Sequence, residues 1–115
     1  MATYVYRVSR MQGSNYFGSF EGVMHCGTYA RREAALAAAF ALAKREHAAE
    51  KEDLFRYLPA PSSPRYARKR ANAEELASTY YKDLVENEDG WYTWGMDADT
   101  GPGGSVCVDE DEVIP

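Results

Sequence analysis

Cysteine and histidine are scarce in this 115-residue chain: it holds two of each, and no CxxC or HxxxH spacing joins them. A structural metal site draws on closely spaced ligand pairs, so His25, Cys26, His47 and Cys107 offer only a dispersed tetrad, and no metal is expected. Two thiols also fall short of a disulfide framework. The segment MATYVYRVSR carries no long apolar run of the secretion-signal kind, so the thiols are expected to be reduced, in the cytoplasm or nucleus. Long hydrophobic runs are missing elsewhere too. The longest, Ala34 to Ala43, spans ten residues of mostly alanine, about half of the ~20 that a membrane helix requires.

Two glycine-containing segments fail as ligand loops. Gly101-Pro102-Gly103-Gly104 is followed by no Lys-Ser/Thr and opens no helical pattern, which excludes a phosphate cradle. Asp97-Ala98-Asp99-Thr100-Gly101 has the beginning of a calcium loop, but Val108 stands where the closing glutamate is needed, so a hairpin turn is expected instead. No cofactor is implied. Basic residues also nearly vanish after position 72, where Lys82 stands alone against twelve acids, while residues 1–72 carry twelve basic and six acidic residues. The overall charge of −5 therefore hides a balance of +6 followed by −11. Opposite halves of this kind attract each other within one fold or across a homodimer, or leave the basic part free for an acidic partner.

What the chain does contain is the composition of one ordinary domain, 45% apolar and 27% charged, so residues 1–115 are read as a single unit. Fifteen aromatics, nine of them tyrosine, suit half-buried faces and interfaces, because a tyrosine buries a ring while keeping a hydroxyl for water or a partner. Thr3 to Arg10 alternates, with Tyr4, Tyr6 and Val8 on one face, and reads as a strand. Gln12 to Asn15 supplies turn residues, and Phe17 to Tyr29, interrupted by glycines, reads as the second strand of a hairpin.

From Arg31 to Ala49 the period changes to that of a helix, with Leu36, Phe40, Ala43 and His47 on one stripe and a weakly capped start. A bend is expected around Ala48 to Glu52 and a stop before Pro59, because an unbroken helix to Tyr57 would be ~40 Å long. The prolines of residues 58–64 mark an irregular connection, and the basic cluster Arg65 to Asn72 leads into a second helix expected over Ala73 to Asn87, with Asn72 as its cap. Trp91 to Asp97 and Ser105 to Val108, joined by TGPGG, form a second hairpin, and residues 109–115 an acidic tail. The expected fold is α+β: two β-hairpins forming one antiparallel four-stranded sheet, with two or three helices packed on one face.

The Tyr/Val-rich first strand, the second strand ending in Gly27-Thr28-Tyr29, the helix opening Arg32-Glu33-Ala34-Ala35, and the closing Val106-Cys107-Val108-Asp109-Glu110 together resemble a group of small uncharacterised proteins of filamentous fungi. The resemblance implies a β-β-α-(α)-β-β layout. It carries over no functional residue, and the basic stretch Pro59 to Asn72 departs from the group's pattern.

Three functions remain in contention. The leading one is a non-enzymatic protein-interaction module, homodimeric, using aromatic sheet surface: Tyr4, Tyr6, Trp91, Tyr92 and Trp94 are the candidates, since Trp91 and Trp94 fall on opposite strand faces and large aromatics on an uncovered face mark interfaces. The second is RNA or single-stranded DNA binding by Arg65, Arg68, Lys69 and Arg70 with Tyr66 as a stacking ring, opposed by the acidic half, which repels a polyanion. The third is a small enzyme using Cys26 or His47, since a thiolate beside an imidazole is a nucleophile. His25 beside Cys26 does not supply that pair, because strand neighbours point to opposite faces.

Overall fold

A computed structural model describes residues 3–14, 20–95 and 103–114. Asn15, the expected start of the second strand at Phe17, Met96, and Thr100 to Pro102 of the TGPGG turn lie outside the described residues. The elements in chain order are β1 (Thr3–Ser14), β2 (Phe20–Tyr29), α1 (Arg32–Asp53), α2 (Tyr66–Ser78), β3 (Val85–Glu88), β4 (Trp91–Trp94) and β5 (Gly104–Val113). The strands make one antiparallel sheet in the order β2-β1-β5-β4-β3. The α+β class and the single antiparallel sheet stand, with five strands rather than four.

β1 and β5 pair without a break from Thr3↔Val113 to Gln12↔Gly104, and both are interior strands, with β5 at the centre of the sheet. The acidic stretch at 109–113 is therefore strand, not tail. Its pairing puts the basic beginning of the chain beside the acidic end, and Arg7 Nε lies 2.6 Å from Asp111 Oδ2. A second tie between the halves joins Arg32 to Asp89 at 3.6 Å. Both pairs are exposed, so each is worth at most about 1 kcal/mol, but both favour this arrangement over its alternatives.

α1 runs the full Arg32–Asp53, roughly 33 Å, without the expected bend. It holds no glycine or proline, and its last turns still face the sheet: Glu46 and Glu50 each reach Arg10 of β1 at 3.6 Å. The buried stripe is Ala35, Ala39 and Ala43, each 0% exposed. Leu36 and Phe40 lie beside that stripe rather than on it, and the Phe40 ring packs against Tyr92 at 5.4 Å between centroids. Alanines at the centre let the helix axis approach the sheet closely, and the sheet supplies the bulk: Trp94, Val8 and Val106 are the largest fully buried side chains. Arg31 caps the start with no side-chain hydrogen bond, as its residue type implies.

The second helix is displaced toward the N-terminus. It begins at Tyr66 because Ser63 already organises the turn, accepting the Arg65 N–H on Oγ at 3.3 Å and the Tyr66 N–H on its carbonyl at 3.1 Å. Asn72 is thus interior, not a cap, and the cluster Arg65 to Arg70 forms the first turns of the helix. The helix ends early as well. Ser78 and Thr79 both donate their hydroxyls to the Glu75 carbonyl, at 3.1 and 2.7 Å, competing with the helical ladder.

Residues 85–87, expected to be helical, belong instead to the edge strand β3, which turns through Asp89-Gly90 into β4. Gly90 has φ +80°, open to glycine and costly for other residues, and it is wedged under the helix: a Cβ there would lie 2.8 Å from Leu36 Cδ2 and 3.0 Å from Val108 Cβ. α1 is the helix that packs on the sheet, and α2 makes no comparable contact with it. The Cα radius of gyration, 17.3 Å, is accordingly larger than the ~13 Å of a compact domain of this length.

Gly90→Ala is expected to destabilise the fold by about 2 kcal/mol or more, from backbone strain plus the clash with Leu36 and Val108. Ala39→Leu is expected to cost about 1–3 kcal/mol by lifting α1 off the sheet. Urea denaturation of the two variants measures both, and values under half a kcal/mol at either site would contradict this packing.

Candidate functional site

The strand pleat sorts the sequence candidates onto two faces. Tyr4, Tyr6, Val8 and Arg10 of β1, Val106 and Val108 of β5, and Tyr92 and Trp94 of β4 share the face under α1. Tyr92 is 6% and Trp94 1% exposed, so these two are core residues and not partner-binding ones. The reason is geometric: the alanine stripe leaves a space above β4 that only large rings fill. Tyr6 is half-buried against the same core, and Tyr4, 41% exposed, is farther along the strand.

Within this layer lies a polar cluster. Arg10 is nearly buried between Glu46 and Glu50, with its guanidinium 5.8 Å from the Trp94 ring centroid. Trp94 Nε1–H donates to Glu50 Oε2. His47 Nε2–H donates to the Tyr81 carbonyl at 2.6 Å and so carries its proton on that nitrogen. Arg10 Nε–H has no hydrogen-bond partner among the described residues. Leaving such a donor buried costs about 1–3 kcal/mol. Burial, with Glu50 adding to it, raises the Tyr81 phenol above its ordinary pKa, and burial followed by Glu86 and Asp89 does the same for Tyr92.

Cys26 and His47 are not brought together. Cys26 lies on the β2 side of α1, at a bulge in the β1–β2 pairing, and its thiol is directed to the Met24 carbonyl at 3.4 Å. His47 lies on the other side, beside Trp94 and Tyr81, with the buried alanines between. The adjacent His25 ring bonds Thr28 Oγ1 at 3.0 Å. Cys107 is a poor nucleophile: burial, then the charge of and a hydrogen bond to Asp109, push its thiol up to about 11. No grouping of three or more metal-ligating side chains occurs among the described residues. Beside Cys26, a cavity of ≈360 Å³ opens between β2 and α1, walled by Val8, Tyr29 and Leu42 and reached by Arg10 and Arg45.

The basic cluster lies along the exposed α2. Arg70 is committed within it, donating to Glu74 Oε1 at 3.0 Å and to the Tyr66 hydroxyl at 2.8 Å. Those partners, Tyr66 first, raise the Arg70 pKa, so the ring that would stack on a base is tied to the helix's own arginine. Arg65, Arg68 and Lys69 are exposed on the same helix.

The opposite sheet face carries the feature that the aromatic pattern singled out. Cross-strand register makes rows: Val23–Met11–Ser105–Thr93–Val85 spans all five strands, followed by His25–Ser9–Cys107–Trp91, and then by Thr28–Arg7–Asp109. No helix among the described residues lies over these rows. Trp91 is 41% exposed and is held down by its indole N–H, which donates to Ser105 Oγ at 3.1 Å. Asn87 Nδ2 donates to Thr93 Oγ1 at 3.0 Å beside it. Val23 and Val85, at the two ends of the first row, are exposed, and neither was singled out from the sequence; the alternation of β2 about its glycines and the Asp-Gly turn before β4 were the signals available.

No helix of the described residues is long and apolar enough to cross a membrane. Comparison with protein-family models, with curated proteins and with solved structures matches nothing.

Two pH responses are expected. The raised phenols bind their protons more tightly when folded, so their contribution is complete below pH ~10, the ordinary tyrosine pKa, and is lost as pH rises through the folded values. Tyr81→Phe should therefore hold its stability to higher pH than the native chain in denaturant melts, and identical alkaline profiles would refute the assignment. In a Cys26→Ser variant, alkylation of the remaining Cys107 should accelerate with a midpoint near pH 11. A midpoint near 8 would show an exposed thiol instead.

Proposed function

We propose that this protein is a non-enzymatic interaction module that forms a homodimer through the sheet face opposite α1. One observation carries the reading: a five-stranded sheet is covered by a helix on one face, while the other presents Trp91, Val23, Met11 and Val85 in adjacent rows. Exposed apolar side chains grouped on one sheet face mark a contact surface, and a tryptophan among them is the residue type most often dominant in one.

A second copy is the occupant that the charges favour. The third row sets Arg7 beside Asp109 and Asp111, so the patch holds both signs within a few ångströms and is complementary to itself. A two-fold axis along the face sets Arg7 of one protomer against Asp109 of the other and brings the apolar side chains of the first two rows together, and such an isologous contact closes at two copies. A polyanion would meet Asp109 and Asp111 there and be repelled. For a nucleic acid, the exposed side of α2 remains, with Arg70 and Tyr66 already joined to each other.

Light scattering coupled to size exclusion is expected to report a dimer at micromolar protein. Val23→Glu, at an exposed position that the monomer does not use, should give a folded monomer, and Trp91→Ala should weaken dimerisation by about 2 kcal/mol, or roughly thirtyfold. A strict monomer at high concentration, or dimers untouched by Val23→Glu, would rule the interface out.

A further inference from the structure

We infer that the open edge of β2 takes up an extended segment of a partner protein as a sixth strand, with one apolar side chain of that segment entering the cavity between β2 and α1 and an acidic one two residues away facing Arg45. The contact uses the backbone edge and the helix side of β2, so it does not depend on the dimer face.

The two edges of the sheet differ. β3 is four residues long, carries Glu86 and Glu88, and is bulged between them. Shortness, charge and a bulge are devices that keep an edge from pairing with another chain. β2 spans Phe20–Tyr29, and from Gly22 to Tyr29 it has no lysine, proline or carboxylate. Its own bulge falls at Cys26, between the pairs Val8↔Gly27 and Ser9↔His25, and leaves Gly22 to His25 in unbroken register with β1. β1 occupies one side of that run, and no strand among the described residues lies on the other. The backbone groups on that side match the spacing of a second extended backbone.

The flank beside this edge selects the partner's side chains. A strand laid against β2 places the side chain opposite Met24 on the α1 face, next to the cavity of ≈360 Å³ whose walls include Met24, Cys26, Ala38 and Leu42. Met24 is 61% exposed, so the apolar wall reaches the edge itself. Arg10, deeper in the cavity, is already faced by Glu46 and Glu50, so the group that enters is apolar rather than charged. Arg45 is exposed at the rim and makes no ion pair among the described residues. Its helix neighbours three and four positions away are Ala41, Leu42, Ala48 and Ala49, none of which offers a carboxylate. An acid two residues along the partner strand lies on the same face as the apolar anchor and complements that charge. A second copy's β2 is the poorer occupant, because Gly22 and Cys26 flank Met24 on that face and bring Arg45 no acid.

A phage-displayed library of random decapeptides, selected on the native full chain, tests this. Enriched peptides are expected to share an apolar residue and an acid spaced i, i+2. The most enriched peptide, synthesised with a fluorescein label, should bind saturably by anisotropy and slow amide exchange at alternate residues between Gly22 and His25 at least tenfold. Ala38→Leu fills the cavity without altering the strand edge, and should abolish binding while circular dichroism stays native. Arg45→Glu should weaken binding about tenfold, and a peptide with lysine in place of its acid should recover affinity for that variant. Three results would overturn the inference: no enrichment over the Ala38→Leu chain, protection that falls outside β2, or charge reversal at Arg45 without effect. Protection of Gly22 to His25 that grows with protein concentration in the absence of peptide would overturn it as well, by placing a second copy on the edge.

Discussion

Everything in this structure depends on the pairing of β1 with β5. Two hairpins of this size are marginal alone, and the ten consecutive register partners from Thr3↔Val113 to Gln12↔Gly104 join them into one sheet. The same pairing sets Val8 against Val108 and Arg10 against Val106, which creates the central apolar strip on which α1 lies. It also ties one basic residue of the first half, Arg7, to Asp111 of the acidic last strand.

The helix and the sheet divide the packing unequally. α1 contributes three alanines with no exposed surface, and the sheet contributes Trp94, Val8, Val106 and Tyr92. This arrangement holds the helix close and makes the single buried arginine workable, because Glu46 and Glu50 project from the same helix toward it. It also gives the two tryptophans of β4 opposite lives. Trp94 is enclosed and bonded to Glu50, while Trp91 lies half-exposed on the opposite face, tethered to Ser105.

The first hairpin, the first helix and the β4–β5 pairing were legible because each rests on a strong local period: Tyr4-Tyr6-Val8, the alanine-rich run, and Tyr92-Trp94 against Val106. What was not legible depended on tertiary competition. Residues 85–88 carry acids that fit neither a helix end nor a core, and only the partner strand β4 and the close fit of Gly90 under Leu36 make them a strand. The start of α2 was hidden because the bond from Ser63 outcompetes the apparent cap at Asn72. The role of Arg10 had no signal at all: it is one arginine on an alternating strand, and its burial exists only once α1 crosses above it. Trp91 could be assigned to a face from alternation alone, but the rows that surround it require the register of all five strands.

The central position of β5 has a consequence for how the chain assembles. The partners Thr3 and Val113 are separated by nearly the whole length of the sequence, so the sheet has no middle until its last strand is in place. Before then β1 is an edge, with one side of its backbone open, and the acidic strand that will cover it is synthesised after the other four. α1 can form early, from local contacts, and has only half a platform to rest on. Folding should accordingly be limited by one long-range closure, in the regime where topology rather than helix formation sets the rate.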